Sequence, residues 1–154
     1  MKKFVRILTL VLALTMVLGL CSCGGGNTKV KLKILDSAYT TEDYAICIAK
    51  ENTELLEKVD TALGELIADG STQKVIDKYI SGVDHSLTIQ ANVAEGAPEL
   101  HMATNAEFPP YEYYDGDNIV GIDAEIAGLI ADKLGMKLVI DDMDFNSLLP
   151  SVQT

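Results

Sequence analysis

Thr104-Asn105-Ala106-Glu107-Phe108-Pro109-Pro110-Tyr111-Glu112-Tyr113 decides how this chain folds. A short apolar run, Leu100 to Thr104, leads into it and reads as a strand. The two adjacent prolines end the strand and force a loop, which carries Phe108, Tyr111 and Tyr113. Downstream, Ile119-Val120-Gly121-Ile122-Asp123 opens a helix that runs to Leu134 and stops at Gly135. Its inner face is Ile126, Leu129, Ile130 and Leu134. A second strand, Lys137 to Ile140, precedes Asp142-Met143-Asp144-Phe145. Strand, helix and strand in this order form a β-α-β unit, whose two strands run parallel.

Taken together, these features over Glu99 to Thr154 resemble the opening unit of the polar amino acid receptors of ABC importers. These are the family 3 extracytoplasmic solute-binding proteins, which have a type II periplasmic-binding-protein fold. The resemblance rests on several features falling in order, not on any single residue. It implies an α/β fold, no enzyme activity, no cofactor, an amino acid as ligand and an ABC permease in the membrane as partner. It also implies three ligand-facing positions. Phe108 is a first aromatic wall after the first strand, Phe145 a second wall after the second strand, and Asn105 a polar contact. Tyr111 and Tyr113 are expected to pack the lobe surface. The family's arginine clamp for the ligand carboxylate has no counterpart, because Arg6 is the one arginine of the sequence.

The start of the chain reads as an export signal. Lys2, Lys3 and Arg6 precede an apolar run from Ile7 to Leu20, short for a membrane span of about 20 residues. Leu20-Cys21-Ser22-Cys23-Gly24 resembles a bacterial lipobox with Cys23 as the lipidated residue, since a small side chain is expected just before the cleavage point. The alternative is an uncleaved apolar anchor with two incidental cysteines. Residues 1–22 are thus expected to be a lipoprotein signal peptide and 23–29 a tether, which places the protein on the outer face of the cell membrane.

Charge agrees with export. The chain carries 12 basic and 23 acidic residues, a net charge of −11. Without the three signal cations it is −14, which disfavours nucleic acid and anionic lipid as partners. Cys47 stands alone beyond the lipobox, in the apolar run Tyr44 to Ala49, and is expected to be buried. His85 and His101 lie apart, without cysteine partners at zinc spacing, so no metal site is expected.

The middle segment reads as strands Val30 to Leu35 and Tyr44 to Ala49, then a helix from Thr53 to Ala68 capped by Glu51-Asn52-Thr53. That helix offers Leu55, Leu56, Val59, Leu63, Leu66 and Ile67 as its apolar face. A further helix, capped by Ser71, presents Val75, Ile76, Tyr79 and Ile80. Residues 30–81 resemble the closing part of the same family, where the chain returns from the second lobe and ends in two helices on the first. Residues 82–98 read as a linker, and residues 99–154 as the opening part, truncated.

The closing part therefore precedes the opening part. Fusion of the end of one receptor to the start of another, a rearrangement that removed the middle, and an excerpt of a tandem receptor each account for this order. The expected architecture is a partial type II lobe, three-layer αβα, incomplete and rearranged, with an open sheet edge. About 125 residues follow the tether, too few for both lobes, and the end at Ser151 to Thr154 falls inside an expected helix. A rearranged, non-binding remnant is the main alternative function. An enzyme on the same fold is a lesser one, because the aromatic loop has no acid–base pair beside it except the strand residue His101.

Overall fold

The computed structural model describes residues 33–37, 40 and 43–153. The chain divides into two compact units, residues 1–43 and 44–154. In the first, the described residues form no helix or strand. The signal, the lipobox, the tether and most of the expected strand Val30 to Leu35 lie outside the described residues; Lys33 to Leu35, which are described, are not a strand.

The second unit begins with an irregular stretch, not the expected strand. Tyr44 to Ala49 joins no ladder among the described residues and ends in a turn closed by Asn52 N donating to Ala49 O at 2.9 Å. Its apolar pattern is met by other contacts: Tyr44 stacks on Tyr111 and Ile48 packs against the core. With Ile48 turned inward, its neighbour Cys47 is exposed, which corrects the expectation of burial.

Helix α1 spans Thr53–Ala68, and its N-cap Asn52 accepts a bond from Leu55 N through its side chain. Gly70, in the left-handed region at φ 77, turns the chain into α2, Ser71–Ile76, which continues as a wider helical turn, Asp77–Ser81. Gly70, not Ser71, is the cap, and Asp69 Oδ1 accepts from Ser71 N at 2.9 Å. Helix α3, Ile122–Leu134, ends at Gly135 in the left-handed conformation. Helix α4 spans Phe145–Ser151.

Two sheets join these helices. Strands β1, Glu99–Thr104, and β5, Lys137–Asp142, pair in parallel from Glu99↔Lys137 to Thr104↔Asp142. Between them lie β2, Glu107–Phe108, β3, Glu112–Asp115, and β4, Asn118–Val120, an antiparallel meander. With Tyr44 to Ala49 in no ladder, β1 and β5 form a two-stranded sheet beside this meander. Gly116, at φ 61 in the tight β3–β4 connection, supplies the positive φ that such hairpin turns need.

One core joins both halves of the unit. Val59, Leu66 and Val75 from the helices before residue 82 cluster with Ile122, Leu129 and Ile130 of α3. Val75 and Ile130 are sealed from solvent. Leu55 and Leu63 flank the stripe, whereas Leu56, Ile67 and Ile80 are exposed although their spacing assigned them to the apolar faces. Helix α1 meets α3 along Val59, Ala62 and Leu66, and Leu56 and Ile67 lie to one side of that line.

The expected linker has no helix or strand, yet it is firmly attached. Leu87 and Ile89 pack on the core. Gln90 Oε1 accepts from Leu138 N at 2.7 Å, so a side chain satisfies a donor of β5. Its Nε2 donates to Asp132 Oδ1 at 2.8 Å, and its backbone N–H donates to Asp132 Oδ2 at 2.9 Å.

Candidate functional site

Because β1 and β5 are parallel, the loops that follow them leave the sheet at the same end, the place where open α/β sheets bind ligands. The first of these loops carries Asn105 and Phe108; the second leads to Phe145. Met143 N donates to Thr104 O at 2.9 Å and ties the two exits together.

Asp142, the last residue of β5, organises the first loop. Its Oδ1 accepts from Ala106 N at 2.9 Å and its Oδ2 from the Tyr114 hydroxyl at 2.9 Å. The bond from Ala106 and then that from Tyr114 hold the Asp142 carboxyl below its ordinary pKa, while the same contact pushes the Tyr114 hydroxyl up. Glu107 N donates to Asn105 O at 2.7 Å, and Tyr111 N to Phe108 O at 2.9 Å across the cis Pro109–Pro110 bond.

The aromatic residues form a row. Phe108 stacks on Tyr111 with ring centroids 5.5 Å apart and planes at 12°, and Tyr111 stacks on Tyr44 at 4.6 Å and 14°. Phe108 keeps 52% of its surface exposed, so it is backed by other rings yet open to solvent. Phe145, at the start of α4, is 73% exposed. The rings of Phe108 and Phe145 are not in contact with each other; the ring pairs among the described residues involve Phe108, Tyr111 and Tyr44, and separately Tyr79 and Tyr113.

The loop is also fixed from the α3 side. The first amides of a helix have no partner within it. Here Ile122 N donates to Pro110 O at 3.1 Å and Asp123 N to Tyr111 O at 2.9 Å. Gly121 stands at φ +134, and a Cβ there would meet Tyr111 O at 2.1 Å. The Tyr79 hydroxyl accepts from Gly121 N at 3.2 Å and donates to Glu125 Oε1 at 2.6 Å; Lys78 also pairs with Glu125. Burial first, then the Glu125 contact, pushes the Tyr79 hydroxyl well up. Side chains from the segment before residue 82 therefore hold the turn that positions Phe108.

His101 sits on an exposed face of β1. Its Nδ1 is 2.7 Å from Asp141 Oδ2 and its Nε2 3.5 Å from Glu99 Oε2, and the Asp141 bond leads in raising its pKa. None of these residues belongs to the aromatic loop. Among the described residues no cluster of three or more His, Cys, Asp or Glu side chains is arranged to hold a metal ion, and no helix is long and apolar enough to cross a membrane.

Sequence reasoning found the loop but not its supports. Asp142 was legible only as one of several acids around the end of the second strand, Tyr79 only as a member of an apolar face, and Tyr44 only as the start of a strand.

Residues 100–154 match the family of bacterial extracellular solute-binding proteins, family 3. The match takes in β1, the aromatic loop, α3, β5 and α4, and the arrangement of helices and two sheets agrees with a periplasmic-binding-protein-like lobe.

Three curated relatives are named as binding proteins, not enzymes. The arginine-binding extracellular protein ArtP of Bacillus subtilis is 46% identical over 59 residues, 38% of this chain and 23% of that protein. The arginine-binding protein ArgT of Corynebacterium glutamicum is 35% identical over 69 residues, 42% of this chain and 23% of that protein. The putative ABC transporter arginine-binding protein 2 of Escherichia coli is 33% identical over 61 residues, 39% of this chain and 25% of that protein. The chain thus spans about a quarter of the length of these relatives. A solved substrate-binding protein of an amino acid ABC transporter is 49% identical, with a TM-score of 0.34, over 36% of this chain and 26% of that one. The family match begins at residue 100 and does not reach residues 30–81.

Proposed function

We propose that this chain serves as an exported, lipid-anchored amino-acid-binding component of an ABC importer, and that its ligand has a cationic side chain. One observation carries the reading: Phe108 presents an exposed face, backed by Tyr111 and Tyr44, on the loop that leaves the carboxyl end of β1 within the family match. A stacked, immobilised aromatic face suits a guanidinium, which is planar and weakly hydrated. The net charge of −11 favours approach of a cation, and the relatives are named for arginine. Asn105 and Phe145 are assigned the polar contact and the second wall.

Residues 30–81 are assigned the role of the family's closing segment, placed ahead of the opening one. The shared core and the Tyr79–Gly121 bond support placing residues 44–81 of it on the same lobe as the opening part.

With Arg6 the one arginine, no guanidinium is at hand for the ligand carboxylate in the described unit. Loss of a charge-assisted bond costs roughly 1.5–3 kcal/mol, one to two decades of affinity. Binding of L-arginine by this chain is therefore expected near the millimolar scale, about −4 kcal/mol. A nuclear magnetic resonance titration tests it. L-arginine is expected to shift Asn105, Phe108 and Phe145, citrulline to shift them less, and Phe108→Ala to weaken the response about tenfold. Shifts confined to other residues, or none at saturating arginine, would contradict the proposal.

Cys23 is assigned as the acylated N-terminus, and more than one acyl chain on it would give stable anchoring. Cys23→Ala is expected to leave the membrane fraction or to remain an unprocessed precursor, read by fractionation and intact mass. Fatty-acid labelling that survives Cys23→Ala but not Cys21→Ala would assign the anchor to Cys21.

A further inference from the structure

Glu112 lies on β3 directly opposite Phe108 in the ladder, and its side chain points to Asp123 in the first turn of α3. Its Oε2 is buried and no donor among the described residues reaches it. An ionised carboxylate is acceptor-only, so two facing carboxyls, one with a buried oxygen that no donor reaches, are relieved by a proton held between them. The surrounding backbone brings the two elements close together. Tyr111 O accepts from Asp123 N, and Gly121 packs so tightly on Tyr111 and Glu112 that no Cβ fits.

We propose that Glu112 and Asp123 share one proton and so clasp the aromatic hairpin to α3, and that deprotonation releases the clasp and loosens the loop bearing Phe108. The proton resides on Glu112. Asp123 sits in the first turn of a 13-residue helix, where the macrodipole favours the charged form. Both carboxyls are pushed up, chiefly by burial; the Glu112 contact lowers Asp123, whereas the Asp123 charge and bond raise Glu112 further, to about 7. The other charged groups nearby are engaged elsewhere: Glu125 with Lys78 and the Tyr79 hydroxyl, and Tyr113 edge-on against Tyr79. Reading the clasp as a control on ligand binding rests on the function proposed above; the clasp itself does not.

The sign follows from proton linkage. The folded value of about 7 lies above the ordinary unfolded value of about 4.3. The clasp contributes fully below the unfolded value. Between the two values the folded state holds a proton that the unfolded chain has released, so stability falls as pH rises and levels off above about 7.

Two measurements on the full chain test it. Carbon-detected titration of the Glu112 carboxyl is expected to give a midpoint within about a unit of 7; a midpoint in the ordinary carboxylate range near 4.3 overturns the proposal. Glu112→Gln donates an amide hydrogen to Asp123 at every pH. Its stability is expected to fall less than that of the unsubstituted chain between pH values of about 5 and 8, with the His101 contribution present in both. Parallel pH profiles would equally overturn it. If Glu112→Gln does not fold, the carboxyl titration decides alone. A chain that binds no arginine but shows the raised midpoint keeps the clasp and loses the receptor reading.

Discussion

Gly121→Ala is expected to lower the melting temperature by at least about 10 °C. Two costs coincide at this residue. Its φ of +134 is a conformation that side chains rarely adopt, and such strain costs about 1–3 kcal/mol. The added Cβ would also lie 2.1 Å from Tyr111 O and 2.5 Å from Tyr111 C. These are backbone atoms, so relief requires the loop to leave α3. That movement breaks the bonds from Ile122 N and Asp123 N to Pro110 O and Tyr111 O. Overpacking of this kind typically costs another 1–3 kcal/mol or so. At roughly 4–8 °C per kcal/mol for a domain near this size, the melting temperature falls well outside experimental error. Gly116→Ala is the control. It also has positive φ, at 61, but a Cβ there meets nothing within 4 Å, so its cost is the backbone term alone, about 1–2 kcal/mol. Thermal unfolding followed by circular dichroism checks both; equal losses would show that the close approach at Gly121 is not what limits the site.

The contrast between these glycines also shows what sequence can carry. Helix α3 was legible at both ends, because Ile126, Leu129, Ile130 and Leu134 repeat at helical spacing and Gly135 supplies the stop. Strands β1 and β5 were legible as short apolar runs around that helix. Helix α1 likewise runs from Thr53 to Ala68, as its cap and periodicity predict. The meander was missed because β2 has two residues and β4 three, too short for alternation to show. Asp115-Gly116 was its one local signal.

Tyr44 to Ala49 was read as a strand because apolar residues follow one another there. A strand exists only where a neighbour pairs with it, and the segment's own residues do not say whether one does. The same holds at the site. Position after a strand identified Phe108, whereas its supports come from far along the chain: Tyr44 through Tyr111, Asp142 through Ala106, and Tyr79 through Gly121. Glu112 and Asp123 are 11 positions apart on a strand and a helix, and no local pattern pairs them. Gln90 reads as an ordinary polar residue of a linker until its amide is seen bridging Leu138 and Asp132.

A single shared core underlies the site, and through it the helices before residue 82 hold the loop after residue 104. Val75→Asp addresses it directly. Val75 has 0% of its surface exposed and clusters with Ile122, Leu129 and Ile130. A carboxylate there would face no basic partner in that cluster, and an unpaired buried charge costs several kcal/mol. That is comparable with the whole stability of a domain, about 5–15 kcal/mol. Amide hydrogen exchange, read residue by residue, separates a local from a shared effect. In Val75→Asp, protection is expected to collapse together in α1, in α3 around Ile130, and in β1 and β5 at Met102 and Ile140. Undiminished protection of Met102, Ile130 and Ile140, with loss confined to residues 53–81, would contradict the shared core and with it the assignment of that segment to the same lobe.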